Sequence, residues 1–275
     1  MGDIGAQAAT TEEIRLAFRR NDHLVGVAGD WHHNADWAVK QLNLLAAEQI
    51  TTVYQLGDFG FWPGEQGFLD SVQNVLSERE MQLFVTPGNH DNWRLIDAFV
   101  VDRGIEPFHP KGCENIWILP RGFRFEQCGR SFLSVGGAPS VDRDERVGED
   151  VDWWPGEVID RADIASINSG GHADIMLTHD APHGAAEKVE EIAARRLVEH
   201  PLWRDYILEG RYRLDEIYQE VRPTLLLHGH YHLAGVSENK IGKMISFNRD
   251  EREYSTAVLD LSTPELRVTF LKNLT

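Results

Sequence analysis

The sequence predicts an α/β fold in which two β-sheets pack together with helices on their outer faces. Near the N-terminus, short apolar runs alternate with amphipathic segments, which is typical of parallel strands joined by helical crossovers. The middle of the chain and its tail instead hold short strand-like runs in succession, separated by Gly and Pro turns. No linker-like segment interrupts these patterns, so we expect one domain over residues 1–275.

The first part of the chain is predicted to begin with a helix over residues 11–20, capped by Thr10 or Thr11 with Glu13 nearby. Residues 36–49 form a second helix, since one face is apolar at the spacing i, i+4, i+7 and i+8. That face consists of Ala38, Leu42, Leu45 and Ala46. A third helix is predicted over 68–79, and buried strands over 24–28, 52–56 and 83–86.

The second part is predicted to hold several strands in succession. Its hairpin-like strands are expected over 115–119, 122–127 and 131–135, and its buried strands over 174–178 and 224–227. The tail, from about residue 234 to 271, is interpreted as three short strands without a helix. Residues 184–222 form a helical insertion rich in Glu and Arg. Such charge runs usually form a solvated face, and a lid or a dimer surface is the functional alternative.

Composition and charge exclude several functional classes. With 42% hydrophobic and 26% charged residues, the 275-residue chain is of the globular type rather than disordered or fibrous. Its 27 Lys and Arg against 44 Asp and Glu give a net charge of −17, which repels phosphate backbones and disfavours nucleic acid as a partner. A phosphorylated substrate would need local positive charge, and bound metal is the simplest source of it.

Two further features bear on where the protein works. Only Cys113 and Cys128 are present, too few for a disulfide framework, which fits a reducing compartment. The first residues lack a signal-peptide pattern, and no apolar run approaches the roughly 20 residues that a membrane-spanning helix needs. We therefore expect a cytoplasmic protein with no membrane partner, and we leave a homo-oligomer open.

Metal-ligating residue types follow five of the predicted buried strands. Ligands in open α/β sheets bind outside the carboxyl ends of strands, so these side chains are expected to meet at one edge. The set contains two carboxylates, one amide and several imidazoles but no thiolate, which suits Mn, Fe, Zn or Mg. Its members are Asp30, His32, Asp58, Asn89, His90, His179, His230 and His232.

In chain order, these residues lie in five short motifs. The motifs are Asp30-x-His32, Gly57-Asp58, Gly88-Asn89-His90-Asp91, the lone His179, and Gly229-His230-Tyr231-His232. Taken singly, Asp30, Asp58 or Asn89 would be interpreted as a helix cap or a turn residue. The ordered combination resembles the calcineurin-like metallophosphoesterases, over the span from Asp30 to His232.

The resemblance implies a fold, a dinuclear site and a reaction. The implied fold is a four-layer α/β/β/α sandwich of two mixed β-sheets flanked by helices. A first divalent cation would be held by Asp30, His32 and His232, a second by Asn89, His179 and His230, and Asp58 would bridge them. The reaction would be phosphoester hydrolysis by direct attack of a metal-bridging hydroxide, with Mn favoured for activity over Fe, Zn or Mg. His90 would protonate the leaving alkoxide or stabilise charge on the phosphoryl oxygens.

The motifs also depart from those of the Ser/Thr protein phosphatases in this superfamily, which carry GDxVDRG and GNHE. This chain has GDFGFWPG and GNHD, so the Asp and Arg that accompany the catalytic His there are expected to have no match in this chain. The difference favours the phosphodiesterase or small-molecule branch, with a phosphorylated small molecule or a nucleotide as substrate. A protein phosphatase and a non-catalytic metal-binding scaffold of the same fold are the alternatives.

Three residues near the motifs are candidate substrate contacts, each with a second interpretation. Arg143 and Arg146 could form a fork that clamps a phosphate, or could pair with Asp144 or Glu145. Asn34 fits a helix cap and could also contact the substrate.

Other residues beside the motifs are expected to play supporting roles. Asp91 would either cap the helix that begins at Trp93 or orient an adjacent histidine. His228 is interpreted as structural, and His33 as a satisfied or exposed histidine. The Trp pair at 153–154 favours a place in the core, with stacking on a base as the alternative.

Overall fold

The computed structural model describes residues 5–62, 64–143, 146 and 152–272. Within these ranges the α-helices are α1 (Thr11–Ala17), α2 (Ala35–Ala47), α3 (Gln66–Glu78), α4 (Trp93–Arg103), α5 (Arg161–Ser169), α6 (Glu187–Glu199) and α7 (Arg204–Val221). The strands of the first half are β1 (Ala6–Ala8), β2 (Leu24–Ala28), β3 (Thr52–Gln55), β4 (Gln82–Val85), β5 (Phe108–Pro110), β6 (Ile116–Ile118) and β7 (Arg124–Gln127). Those of the second half are β8 (Arg130–Val135), β9 (Ile175–Thr178), β10 (Leu225–His228), β11 (Gly235–Glu238), β12 (Lys243–Ser246), β13 (Thr256–Asp260) and β14 (Arg267–Phe270).

The strands form two mixed sheets. The first has the order β1-β5-β6-β4-β3-β2-β13-β14, and the second has the order β11-β12-β10-β9-β8-β7. The central strands β2, β3, β4 and β6 run parallel, as do β8, β9, β10 and β12. Antiparallel strands flank both parallel blocks. The crossovers β2-α2-β3 and β3-α3-β4 match the predicted alternation of strands and helices.

Alternating side chains divide the apolar core into three layers. In β4, Leu83 and Val85 belong to a cluster with helices α2, α3 and α4, whereas Phe84 belongs to the cluster between the two sheets. In β10, Leu226 packs with helices α5 and α7, whereas Leu225 lies between the sheets. The order helix, sheet, sheet, helix confirms the four-layer sandwich.

The tail differs from its prediction, because it contains four strands (β11 to β14) rather than three. The weakest apolar signal of the four is that of β11, whose sequence GVSE has one large apolar residue and lies at a sheet edge. Strands β1 and β5 were also not predicted. Each has three residues and is held by pairing at the edge of the first sheet, so hydrophobic periodicity does not reveal them.

The insertion 184–222 consists of α6, a short 3-10 helix (Pro201–Trp203) and α7. Helix α7 buries Leu214, Ile217 and Val221 beneath the second sheet, and α6 packs Val189 against the loops that follow β9 and β10. A lid or dimer function of the insertion stays a prediction.

Two structural features bear on where the protein works. In the described ranges, no helix has both the length and the apolarity needed to cross a bilayer. Cys113 is buried and Cys128 is half-buried, and both are free thiols. The cytoplasmic location and the oligomeric state stay predictions.

Candidate metal centre

The predicted metal ligands lie on loops that follow parallel strands of both sheets. From the first sheet, Asp30 and His32 follow β2, Asp58 follows β3, and Asn89 follows β4. From the second sheet, His179 follows β9, and His230 and His232 follow β10. The carboxyl ends of these strands face one edge of the sandwich, and the structure brings the ligand atoms together there.

Glycines in the motifs make this convergence possible. A Cβ atom on Gly229 would lie 2.0 Å from Asp30 Oδ1, and one on Gly88 would lie 2.1 Å from the backbone nitrogen of Asp58. Asp58 and His230 have φ values of 48° and 67°, in the left-handed region that Asp and His tolerate better than most residues. The motifs therefore encode close backbone approach as well as donor atoms.

The first group of candidate ligands consists of Asp30, His32, Asp58 and His232, whose donor atoms lie within 4.8 Å of one another. His32 Nε2 lies 3.6 Å from Asp58 Oδ2, and His232 Nε2 lies 3.3 Å from Asp30 Oδ2. Both carboxylates are buried, whereas the side chain of His32 is 24% exposed and that of His232 is 41% exposed. This group therefore opens to solvent on its imidazole side.

The second group consists of Asp58, His179 and His230, whose donor atoms also lie within 4.8 Å of one another. His179 Nε2 lies 3.2 Å from Asp58 Oδ1 and 3.1 Å from Asn89 Oδ1. His179 Nδ1 donates to the carbonyl of Leu56 at 2.7 Å, which fixes the ring with Nε2 toward the centre. The side chains of these three residues and of Asn89 are all buried.

Charges within the centre shift each other's protonation. Burial lowers the pKa of His32, but hydrogen bonds with Asp250 and Asp58 outweigh it and raise the pKa to about 10. Burial likewise lowers the pKa of His179, but the charge of Asp58 raises it to about 9. Burial raises the pKa of Asp58, but His179 and His90 hold it well below its usual range. The buried carboxylates therefore favour the positively charged form of the imidazoles beside them.

The donor set fits divalent cations. Every donor atom is an oxygen or an imidazole nitrogen, the types that Mn, Fe, Zn and Mg accept. Asp58 faces both groups, with Oδ2 toward His32 and Oδ1 toward His179. Each group could hold one cation, with Asp58 common to both.

No motif contains Asp250, yet it supports the first group. Its Oδ1 lies 3.0 Å from His32 Nδ1, and its Oδ2 accepts a hydrogen bond of 3.0 Å from Asn34 Nδ2. Burial raises the pKa of Asp250, but these hydrogen bonds lower it to about 2. The available sequence signal was the polar run at 248–251 between two strands, which does not distinguish Asp250 from its neighbours.

Asn34 serves as the predicted cap of α2. Its Oδ1 accepts a hydrogen bond of 3.1 Å from the backbone N–H of Trp37. Its Nδ2 is engaged by Asp250, so both ends of the side chain contact the protein. A contact of Asn34 with substrate stays a prediction.

His90 lies beside the two ligand groups rather than within them. Its backbone N–H donates to Asp58 Oδ1 at 2.9 Å, and its side chain is 35% exposed. Arg146 Nη2 lies 3.1 Å from His90 Nε2 and donates to Asp142 Oδ1 at 3.0 Å, while Asp142 Oδ2 lies 3.7 Å from His90 Nε2. Burial lowers the pKa of His90 and Arg146 lowers it further, against the charges of Asp58 and Asp142. An Asp and an Arg therefore accompany His90 although the VDRG motif is missing, and they come from the segment after β8.

Arg143 takes a different position from Arg146. Its guanidinium stacks on the ring of Trp153, with Cζ 3.6 Å from the ring centroid. Arg146 pairs with Asp142. Asp144 and Glu145, the alternative partners considered from the sequence, lie outside the described residues.

Asp91 performs neither of its two predicted roles. Asn92, not Asp91, caps α4 by accepting from the backbone N–H of Leu95. Asp91 accepts hydrogen bonds from the backbone N–H groups of Gly60 and Gly88, at 3.1 and 2.7 Å. It therefore ties the loop that carries Asp58 to the loop that carries Asn89.

The remaining residues near the motifs agree with their simpler interpretations. His228 is buried, and burial lowers its pKa to about 4. His33 is exposed, and its Nδ1 lies 3.2 Å from Glu65 Oε1. Trp153 and Trp154 are both buried.

Comparison with known proteins gives a family and a fold. Residues 2–234 match the calcineurin-like phosphoesterase family. The protein TT1561 of Thermus thermophilus superposes with a TM-score of 0.55 at 13% identity, covering 91% of this chain and 99% of that one. A dimetal phosphatase from Danio rerio gives a TM-score of 0.51 at 12% identity, covering 86% of this chain and 92% of that one. No curated protein matches the sequence.

At these identities, the likeness to solved structures shows the fold alone. The family match includes every predicted ligand from Asp30 to His232 and supports metal-dependent hydrolysis of phosphoesters as the general activity. The chain therefore belongs to the calcineurin-like phosphoesterase family, as its five ordered motifs predicted.

Proposed function

We propose that this protein is a dinuclear metallophosphoesterase that hydrolyses phosphodiesters or phosphomonoesters of small molecules, nucleotides among them. One observation carries the proposal. The two ligand groups share Asp58, which directs one carboxylate oxygen to each of them. A shared carboxylate is what a pair of adjacent cations requires of a bridging ligand.

The assignment of ligands follows the two groups. Asp30, His32 and His232 would hold one cation, Asn89, His179 and His230 would hold the other, and Asp58 would contact both. When bound, two such cations polarise phosphoryl oxygens and make water available as hydroxide near neutral pH. We favour Mn for activity, with Fe, Zn and Mg as alternatives, since oxygen and nitrogen donors accept all four.

His90 and Arg146 would act on the substrate itself. They lie side by side at the edge of the centre, with Arg146 Nη2 3.1 Å from His90 Nε2, and a phosphate oxygen that took the place of this contact would accept an N–H from each. An anionic phosphate placed between them would raise the pKa of His90, because nearby negative charge favours the imidazolium. His90 would then give its proton to the departing alkoxide oxygen, a role typically worth about 10²–10⁴ in rate.

The cleft beside His90 supports a small substrate. It has a volume of about 200 Å³ and is lined by His32, His33, Asp58, Gly60, Trp62 and His90. The ring of Trp62 is inclined by 29° to that of His90, with centroids 6.1 Å apart, and offers an aromatic wall to a planar leaving group. The net charge of −17 disfavours long polyanions over a small phosphoester.

A reconstitution assay tests the proposal. Protein stripped with a chelator and supplied with Mn²⁺ should hydrolyse bis(p-nitrophenyl) phosphate, and His90→Ala should lower kcat by about 10²–10⁴ without loss of bound metal. His23→Ala, at an exposed histidine, is the matched control and should retain full activity.

Two results would refute the assignment. One is no turnover above background at any Mn²⁺ concentration; the other is a kcat for His90→Ala equal to that of the wild type. Metal content without turnover would favour the scaffold, and hydrolysis restricted to phosphopeptides would favour the protein phosphatase.

A further inference from the structure

Arg143 is held in a cage of three aromatic rings. Its Cζ lies 3.6 Å from the ring centroid of Trp153, 4.3 Å from that of Trp203 and 5.5 Å from that of Tyr206. Trp203 ends the short 3-10 helix of the insertion, and Tyr206 lies in the first turn of α7. A guanidinium that stacks on aromatic faces gains cation–π energy, and three rings around it restrict the side chain and with it the backbone at position 143.

The caged arginine lies between the two residues that reach His90. Asp142 precedes it and Arg146 follows it, and both contact the His90 ring and each other. Arg146 also donates to the carbonyl of Asp152 at 2.7 Å. The backbone N–H of Arg146 donates to the carbonyl of Arg143 at 3.3 Å, so fixing Arg143 restricts where the guanidinium of Arg146 can lie relative to His90.

A second path leads from Tyr206 of the same cage to a candidate metal ligand. The hydroxyl of Tyr206 donates to Glu157 Oε1 at 2.5 Å. Glu157 accepts from the backbone N–H and the hydroxyl of Ser140, at 2.7 and 2.6 Å. The Ser140 hydroxyl in turn accepts from Asn89 Nδ2 at 3.1 Å, which turns Asn89 Oδ1 toward His179. Glu157 and Ser140 are fully buried, so water does not compete for these bonds.

We propose that Trp203 and Tyr206, here called the buttress, are positioning residues for the metal centre, on two separate paths. Through Arg143 the buttress places Arg146 against His90, and through Glu157 and Ser140 it orients Asn89. The inference rests on the proposed function, since it gives Arg146 and Asn89 their roles toward phosphate and metal. It assigns the insertion a positioning role toward the metal centre of its own chain, which differs from the role of a lid or of a dimer surface.

The two paths have different readouts. Arg143→Ala should lower kcat about 10-fold and leave Mn²⁺ affinity unchanged, because Asn89 keeps its partners. Tyr206→Phe keeps the ring of the cage but removes the hydrogen bond to Glu157. It should weaken binding of one of the two Mn²⁺ ions by about 10-fold in calorimetric titration. A purely structural role would instead lower the unfolding temperature of both variants without this separation.

Double-mutant cycles test whether the residues of each path act through one another. In the Arg146→Ala background, Arg143→Ala should cause no further loss of kcat, and in the Ser140→Ala background, Tyr206→Phe should cause no further loss of Mn²⁺ affinity. Arg195→Ala is the matched control, because Arg195 is exposed on α6 and pairs with Glu199, and it should behave as wild type. If Arg143→Ala fails to fold, Arg143→Lys keeps the charge, loses the planar stacking face and should show the same non-additivity.

Additive losses in either cycle, or a Tyr206→Phe protein that binds both Mn²⁺ ions as the wild type does, would overturn the inference. Its failure is distinct from failure of the proposed function. A wild-type protein that neither binds Mn²⁺ nor turns over would refute the function, whereas an active wild type with additive variants would refute the buttress alone.

Discussion

The two halves of the candidate centre differ in exposure and in support. The open half (Asp30, His32 and His232) presents two partly exposed imidazoles and is supported by Asp250. The buried half (Asn89, His179 and His230) has exposed fractions of 6% or less and rests on several layers of hydrogen bonds. Asp58 belongs to both halves.

The support beneath the buried half extends into the helical insertion. Asp180 follows His179 and accepts from the hydroxyl of Tyr231, which follows His230, at 2.7 Å. Arg211 of α7 donates to the carbonyl of Ala181 at 3.0 Å and pairs with Glu190 of α6. The difference suggests a division of labour. On the proposed function, the buried half would hold its cation in fixed geometry, and the open half would face the substrate and exchange with solvent.

The largest expected effect concerns the stability of the metal-free protein. His179→Ala removes the buried partner of the Asp58 carboxylate and should lower the free energy of unfolding by about 3–5 kcal/mol. His232→Ala should lower the free energy of unfolding by less than about 1 kcal/mol, because the ring of His232 is 41% exposed. Asp30 also still accepts a hydrogen bond from the backbone N–H of His230. Urea unfolding in excess chelator measures both losses. Equal losses would contradict the contrast between the halves.

A smaller effect is expected from the support of the open half. Asp250→Asn weakens the hold on His32 Nδ1 and should lower Mn²⁺ affinity at one site by about 10-fold, since residues that orient metal ligands typically contribute about 10- to 100-fold. Calorimetric titration should still show tight binding of the second ion. Asp260→Asn, at a half-buried carboxylate of β13, is the matched control. Loss of both ions in Asp250→Asn would show that the halves do not load separately.

The smallest effect is a pH-dependent one beneath the buried half. Burial raises the pKa of Glu190, but Arg211 outweighs it and lowers the pKa below 4.5. A carboxyl whose pKa is depressed in the folded state contributes stability above its unfolded pKa, and that stability is lost as pH falls through the folded pKa. Glu190→Gln should therefore cost about 1 kcal/mol at pH 7, discounted because its carboxylate is 35% exposed.

The pH comparison sharpens that expectation. As pH falls through the depressed folded-state pKa of Glu190, the wild type and Glu190→Gln should converge in unfolding temperature, because both then carry a neutral side chain at position 190. Glu199→Gln, at an exposed i,i+4 pair with Arg195, should show no comparable difference at either pH. A gap between wild type and Glu190→Gln that persists at low pH would assign the loss to packing instead of charge.

Much of the fold could be predicted because its core strands carry uninterrupted apolar runs. β4 and β10 were found within a residue or two of their bounds, and the Asn34 cap of α2 followed from its position alone. The short strands β1 and β5 could not be found this way. Their stability comes from backbone pairing with their neighbours, which leaves no periodic signal in three residues.

By itself, the sequence determined which donor atoms enter the centre and in what order. A cation pair needs particular oxygen and nitrogen donor atoms, and the close approach of the loops that carry these donors needs glycine next to them. Both requirements are met by residues within short local motifs. Only the tertiary structure decided which side chains support those donors. Asp250, Ser140, Glu157 and Asp142 could have come from anywhere in the chain, because a hydrogen bond depends on where a group lies in space and not on its sequence position.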